Sequence, residues 1–317
     1  MLQLLLGGSG SGKTTLLYQR IRARAEKGKK SILLVPEQFT SSTEGRIYRE
    51  LGDALSGMVE SFSFTSLAEK ILSTEGGAAV QTLSDAGRAV LVRRALEELQ
   101  DNVHYYHRHR RSAAFCQMAA QTIDELKSAG LSGQQLAQLA GACGAESGKL
   151  SELALIFQGY ETLLARSGMD PSDRLELAGA RLEEALARHS LPEFLRDRAV
   201  FIDEFDTFNA PKKRLLGVML AALPSVTVAL CDDGAPLLPG DLSLFSGAKQ
   251  VAAQLRQLAR KNGTEVAVPQ LLRKDLRHRN APGLAAVAEL LETGSCTADA
   301  PAGEVRLFAA PSREEEA

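Results

Sequence analysis

Gly7-Gly8-Ser9-Gly10-Ser11-Gly12-Lys13-Thr14 matches the phosphate-loop pattern G-x-x-x-x-G-K-[ST] without a mismatch, and Thr15 extends it. Its glycines free successive backbone N–H groups to turn toward β- and γ-phosphate oxygens. Lys13 adds a positive charge, the helix that must follow adds its N-terminal dipole, and the Thr14 hydroxyl is a ligand for Mg²⁺. Such a site also needs an acidic residue at the end of a neighbouring strand. Phe201-Ile202-Asp203-Glu204 supplies it: an apolar run, then Asp203 to hold the metal, then Glu204 to polarise the attacking water. Taken singly, the two segments also read as a chance glycine-rich loop and a solvated acidic pair. Taken together they point to ATP and Mg²⁺. Adenine is favoured over guanine because no N-K-x-D base-reading motif occurs.

Both segments need strands to carry them, and the sequence provides these. Short apolar runs lie at 3–6, 31–35 and, more weakly, 59–63, with a helical stretch at 14–27 between the first two. Further runs follow at 199–203 (AVFID) and 225–230 (SVTVAL), and a last one at 305–309 (VRLFA). Strands separated by helices predict an α/β fold with a parallel sheet. Between residues 83 and 188 the strand signals vanish. Ala89, Val92, Leu96 and Leu99 recur at helical steps, and similar patterns run over 123–126, 153–164 and 175–186. The expectation is one α/β domain interrupted by an all-helical insertion, with another helix over 247–262. No internal repeat or low-complexity tract occurs.

Composition narrows the class. The chain has 317 residues, 44% apolar and 24% charged, with a formal net charge of −2. That allows about two domains with sizeable cores and excludes extended disorder. No stretch reaches the roughly 18 uninterrupted apolar residues of a membrane helix, and the first ten residues lack the basic start of a secretory signal. A reduced, cytoplasmic setting is expected. The four cysteines, at 116, 143, 231 and 296, are too scattered for a disulfide framework or metal cage. Ser312-Arg313-Glu314-Glu315 has the pattern of a helix-opening capping box two residues before the chain stops, so a longer protein is expected.

Further residues then resemble a known lineage. FIDEFDTFNAPKKRLL resembles motif II of UvrD-like superfamily-one helicases, and SVTVALCDDGAPLLPGDLSLFSGA resembles their motif III. VESFSFTSLAEKIL lies where motif Ib sits, and LRKDLRHRNAPGL resembles motif IV. LVPEQFTSSTE after the second strand is the most specific piece, matching the V-P-E-Q-F of AddB-type chains, called RexB in some lineages. MDPSDRLELA and VRLFAAPSREEEA resemble further segments of these chains.

The resemblance implies a RecA-like P-loop domain over 1–80 and 192–245, a helical insertion over 81–191, and the start of a second RecA-like domain over 246–317. It implies a subunit of an ATP-dependent helicase–exodeoxyribonuclease that pairs with an AddA-type subunit to unwind and degrade DNA ends during homologous recombination. It also implies a C-terminal nuclease with an iron–sulfur cluster beyond residue 317, to which none of these cysteines is assigned. Arg277 falls at the motif IV arginine that reaches the γ-phosphate, although Arg273 and Arg279 crowd the register.

Departures from the motifs matter. Asp206 replaces the glutamine that couples hydrolysis to movement, Asp232-Asp233 is followed by Gly-Ala-Pro instead of the motif III core, and the T-F-T-N-K string is missing. The expectation is a chain that binds ATP·Mg²⁺ and is a poor motor by itself. The rival reading is a non-motor scaffold or DNA-recognition subunit with a structural nucleotide site. An unrelated P-loop kinase or ABC-type ATPase is disfavoured, since no L-S-G-G-Q signature occurs.

Three weaker signals stay open. His104 to Arg111 holds three histidines and three arginines, readable as a solvated basic loop, a DNA-backbone contact or a metal site. Lys212-Lys213-Arg214 reads as a charged helix face before a nucleic-acid contact. Gln38 and Phe39 lie where single-stranded DNA crosses in relatives, or form a polar loop over a core-facing ring.

Overall fold

In the computed structural model, which describes residues 1–79, 81–144, 147–295, 305–306 and 309–312, the apolar runs become parallel strands. The chain enters through β1 (Leu2–Gly7), α1 (Lys13–Ala25) and β2 (Ser31–Leu34). A short turn leads to α2 (Thr40–Leu51), the single-turn α3 (Asp53–Ser56), β3 (Val59–Phe62) and α4 (Phe64–Glu75). Helices α5 (Asp85–Glu98), α6 (Ala113–Ser128), α7 (Gly133–Ala140), α8 (Ser147–Ser167) and α9 (Pro171–Ala187) follow. The sheet resumes with β4 (Ala199–Ile202), α10 (Ala210–Ala222) and β5 (Ser225–Cys231), then α11 (Ser246–Lys261), β6 (Gln270–Leu272) and α12 (Pro282–Thr293).

The six strands form one sheet in the order β3-β2-β4-β5-β1-β6, and every pairing is parallel. A parallel sheet is covered on both faces, which is why these strands read as nearly unbroken apolar runs. Alternation assigns the faces. Leu4, Ile32, Leu34, Val200, Ile202 and Val228 join one core with α4, α9, α10 and α11. Leu5, Leu33, Phe201 and Ala229 join another with α1 and α2.

Two expected boundaries shift. Residues 246–272, expected in a second unit, extend this same sheet: β6 pairs with β1 through Leu6↔Leu271, and α11 contributes Val251 and Leu255 to the sheet's core. The helical block also divides. Helices α5 to α8 close a core of their own around Val92, Ile123, Phe157 and Tyr160. Helix α9 instead lays Leu175, Ala178 and Leu182 on the sheet's core, and Arg214 of α10 binds Glu176 and Glu183 on it. The strand expected over 305–309 and the capping pattern at 312–315 include residues outside the described set, as does Cys296.

Polar joints fix the helical block. Asp170, just before α9, accepts from the Tyr160 hydroxyl at 2.6 Å and pairs with Lys127 at 2.9 Å, so α6, α8 and α9 meet at one buried carboxylate. Burial and this carboxylate both push the Tyr160 phenol up. The Glu152 carboxylate accepts the backbone N–H groups of His104, Tyr105 and Tyr106 at 2.8–3.2 Å. Residues 104–106 lie outside the helices and strands, and Glu152 is the acceptor on which this loop closes over α8. Glu152→Ala is expected to lower stability by about 2–4 kcal/mol, because three N–H groups lose a charged acceptor. Chemical denaturation of the variant against its parent checks this.

Candidate nucleotide site

The site grows out of the C-terminal ends of the strands. Strand β1 stops at Gly7, and the loop returns to Lys13, the first residue of α1. Gly10 and Gly12 have φ of +80° and +90°, a region that a side chain makes costly. At Gly10 a Cβ would also stand 2.5 Å from Cβ of Arg277. No side chain caps α1, so its first-turn N–H groups and positive dipole end remain for an anion. The Lys13 ammonium bends back over the loop and donates to the carbonyls of Gly7 and Gly8, both at 2.8 Å. The Ser11 hydroxyl is buried and makes no hydrogen bond among the described residues.

Strand β4 delivers the acids from two strands away, with β5 between it and β1. Asp203 N–H donates to Leu34 O at 3.1 Å, extending the β4–β2 ladder by one residue and fixing where the carboxylate points. That carboxylate is buried, with the Thr14 side chain, the expected second metal ligand, near enough to favour its ionised form. Burial pushes the Asp203 carboxyl up, and the nearby Thr14 hydroxyl and the charges of Arg46 and Lys13 only partly oppose this. Glu204 donates its N–H to Asp203 Oδ1 at 3.1 Å and sits at φ +64°, an uncommon conformation for a residue with a side chain. Burial and the neighbouring Asp203 charge raise the Glu204 carboxyl, and Arg46 lowers it.

These groups face one cleft of about 520 Å³, lined by Ser9, Lys13, Thr14, Thr15, Asp203 and Glu204 together with Arg46, Leu276 and Arg277. The structure brings the two sequence motifs together. The donor set also suits Mg²⁺: a hard carboxylate and a hydroxyl side by side, next to a loop that presents N–H groups. Arg277 reaches the loop and donates to Ser9 Oγ at 2.9 Å, while Leu276 N–H donates to Gly10 O at 3.0 Å. Asp206 lines the same cleft.

Arg46 escaped sequence reading. It extends from α2 into the cleft with its guanidinium 5.1 Å from the centre of the Tyr18 ring. The one signal was positional: Arg46 lies between the buried Thr43 and Ile47, on the sheet-facing flank of an amphipathic helix.

The weaker signals resolve unevenly. Phe39 packs against the core beneath α2, and Gln38 is exposed. Lys212 stacks over Phe64 and Phe205, both at 5.5 Å, and Arg214 is spent on α9. The 104–111 stretch is held at its start by Glu152, and His107 contacts Arg110. Among the described residues no three His, Cys, Asp or Glu side chains are placed to hold a metal together. Among the described residues, too, no helix is long and apolar enough to cross a membrane.

Comparison with known proteins adds the lineage. The family model described as ADDB, N-terminal, matches residues 4–288. The chain is similar to an ATP-dependent helicase/deoxyribonuclease subunit of Desulforudis audaxviator, at 33% identity over 99% of this chain and 27% of the relative. The subunit of the same name from Moorella thermoacetica is 32% identical over 90% of the chain and 25% of its own length. That of Symbiobacterium thermophilum is 31% identical over 99% of the chain and 28% of its own length. The chain therefore spans about a quarter of the length of the curated relatives it matches.

Proposed function

The chain belongs to the AddB N-terminal family, and from that premise we propose that it is the ATP-binding, helicase-like part of a bacterial helicase–deoxyribonuclease subunit. On this reading it works in the cytoplasm with an AddA-type partner, unwinding and degrading DNA ends before recombination repairs the break. Residues 1–80 and 192–245 then form the bulk of a RecA-like unit, into which the 81–191 helices are inserted. A second RecA-like unit begins after β6. The observation that carries the reading is the convergence of Lys13, Thr14, Asp203, Glu204 and Arg277 on one cleft at the strand ends.

The roles follow from position. The loop from Gly7 to Gly12 and the α1 N-terminus surround the phosphates, Lys13 leaves its loop carbonyls for their oxygens, and Thr15 completes the first turn. Thr14 and Asp203 would hold Mg²⁺, which neutralises charge on the β- and γ-phosphates when bound. Glu204 takes a proton from the water that attacks the γ-phosphorus as the bond to the bridging oxygen breaks and ADP leaves. Arg277 and Arg46 stand where negative charge grows on the transferred group. Asp206 in place of the coupling glutamine predicts that turnover by this chain alone drives little movement.

Equilibrium binding of a fluorescent ATP analogue, then turnover with and without DNA, tests the proposal. Mg²⁺-dependent binding is expected, and its absence rejects the reading. Arg46→Ala is expected to slow turnover about tenfold, the scale of losing one charged contact. The same change shifts the acid limb of the pH–rate profile to higher pH, because Arg46 lowers the Glu204 carboxyl. A slower enzyme with an unmoved limb would separate Arg46 from Glu204.

A further inference from the structure

At the end of the sheet opposite the phosphate loop lies a second and larger cavity, about 900 Å³. It forms where the chain enters β2, β4 and β5, bounded by residues 28–30, 193–198 and Pro224, with Lys70 and Thr74 of α4 along one side. The length of a four-residue strand, about 13 Å, separates it from the nucleotide cleft. Its lining holds six cationic side chains and two carboxylates, Glu193 and Asp197.

Three of the cations have hydrogen-bond partners. Arg198 pairs with Glu60, and Arg24 bonds the Ser31 hydroxyl at 3.3 Å. Arg196 donates to the exposed Leu191 carbonyl at 3.2 Å, a neutral acceptor that a phosphate can replace. Lys29, Lys30, Lys70 and Arg196 are exposed and pair with no carboxylate among the described residues. In a concave wall such charges reinforce one another and draw anions in. A charged face made only to balance the C-terminal dipoles of α1 and α4 would need no ring among its cations. Here one is present. Phe194 lines the cavity half-buried, held by a tilted contact with Phe62, ring centres 6.4 Å apart, and with the Lys70 ammonium 5.9 Å from its centre. A fixed ring beside unpaired cations is how proteins hold single-stranded nucleic acid, phosphates on the charges and a base on the ring.

We propose that this cavity binds a segment of single-stranded DNA, with phosphates at Lys29, Lys30, Lys70 and Arg196 and a base stacked on Phe194. The choice of DNA among strands rests on the family reading above; the need for a polyanion with a flat apolar group rests on the cavity. It would give the chain a strand contact remote from ATP, able to hold DNA whatever the state of the nucleotide.

The test is fluorescence anisotropy with a labelled oligothymidylate across a salt series. The variants are Lys29→Glu with Lys30→Glu, and Phe194→Ala, and binding of the fluorescent ATP analogue serves as the folding control. The lysine pair is expected to weaken binding at least tenfold and to cut the salt slope by about 1.4, since each phosphate contact on a single strand contributes about 0.7. Phe194→Ala is expected to lose about tenfold with the slope unchanged. Unaltered affinity and slope in the lysine variant overturn the proposal and leave the nucleotide reading standing. Inorganic polyphosphate that competes fully, through the lysines and without Phe194, also overturns it in favour of a free polyanion. A parent chain that binds the ATP analogue and no oligothymidylate overturns it together with the DNA half of the family reading.

Discussion

Lys13→Ala is expected to weaken ATP binding by about 10- to 100-fold and to remove turnover with it. The ammonium lies at the mouth of the loop, on the carbonyls of Gly7 and Gly8, and among the described residues no carboxylate holds it elsewhere. Exchanging two neutral acceptors for phosphate oxygens is a gain in charge complementarity, and a hydrogen bond between charged groups is worth about 1.5–3 kcal/mol. Truncation removes this contact and leaves the loop carbonyls to water, so the fold should survive. The measurement is titration of a fluorescent ATP analogue, with circular dichroism to confirm the fold. Retained affinity would place the triphosphate somewhere other than the loop.

Glu204→Gln is expected to separate binding from chemistry. The amide keeps the volume of the carboxyl and cannot accept the water's proton, so turnover should fall about 1,000-fold while ATP affinity stays within a few-fold. The parent's pH profile carries a second signature. Glu204 is a base only when ionised, and burial with Asp203 alongside raises its carboxyl, so the rate is lost on acidification above the ordinary glutamate range. Stability runs the other way. Asp203 and Glu204 hold protons more tightly folded than unfolded, so their contribution is present at low pH and fades as pH rises through the raised values. Melting curves at neutral and acid pH should therefore show Asp203→Asn more stable than the parent at neutral pH, with the gap closing on acidification. An inactive, more stable variant is the mark of a carboxylate kept for chemistry at a cost to the fold.

How much of this was legible in sequence depended on the kind of signal. The strands at 3–6, 31–35, 199–203 and 225–230 were visible because burial on both faces leaves few polar residues to break the run. The phosphate loop and Asp203-Glu204 were visible because their chemistry forces fixed spacing. Strand β6 was not visible: Gln270, Leu271 and Leu272 make a three-residue edge strand, half-buried, too short for any period to show. Arg46 was hidden because its meaning lies in a fold-back that brings it from α2 into the cleft shared with Asp203 and Glu204. The place of α9 was hidden as well, since an apolar stripe shows that a helix packs and not what it packs on.

The segment folded over the phosphate loop has a consequence for communication. Arg277 grips Ser9, Leu276 bonds Gly10, and the Glu292 carboxylate of α12 fills the space that a side chain on Gly8 would need. Triphosphate and segment thus share the same loop atoms. Whatever factor the nucleotide imposes on the position of residues 275–292, a pull on those residues must impose equally on nucleotide affinity. The loop is then a lever with two handles, and a mechanical load applied downstream is felt as a change in ATP occupancy.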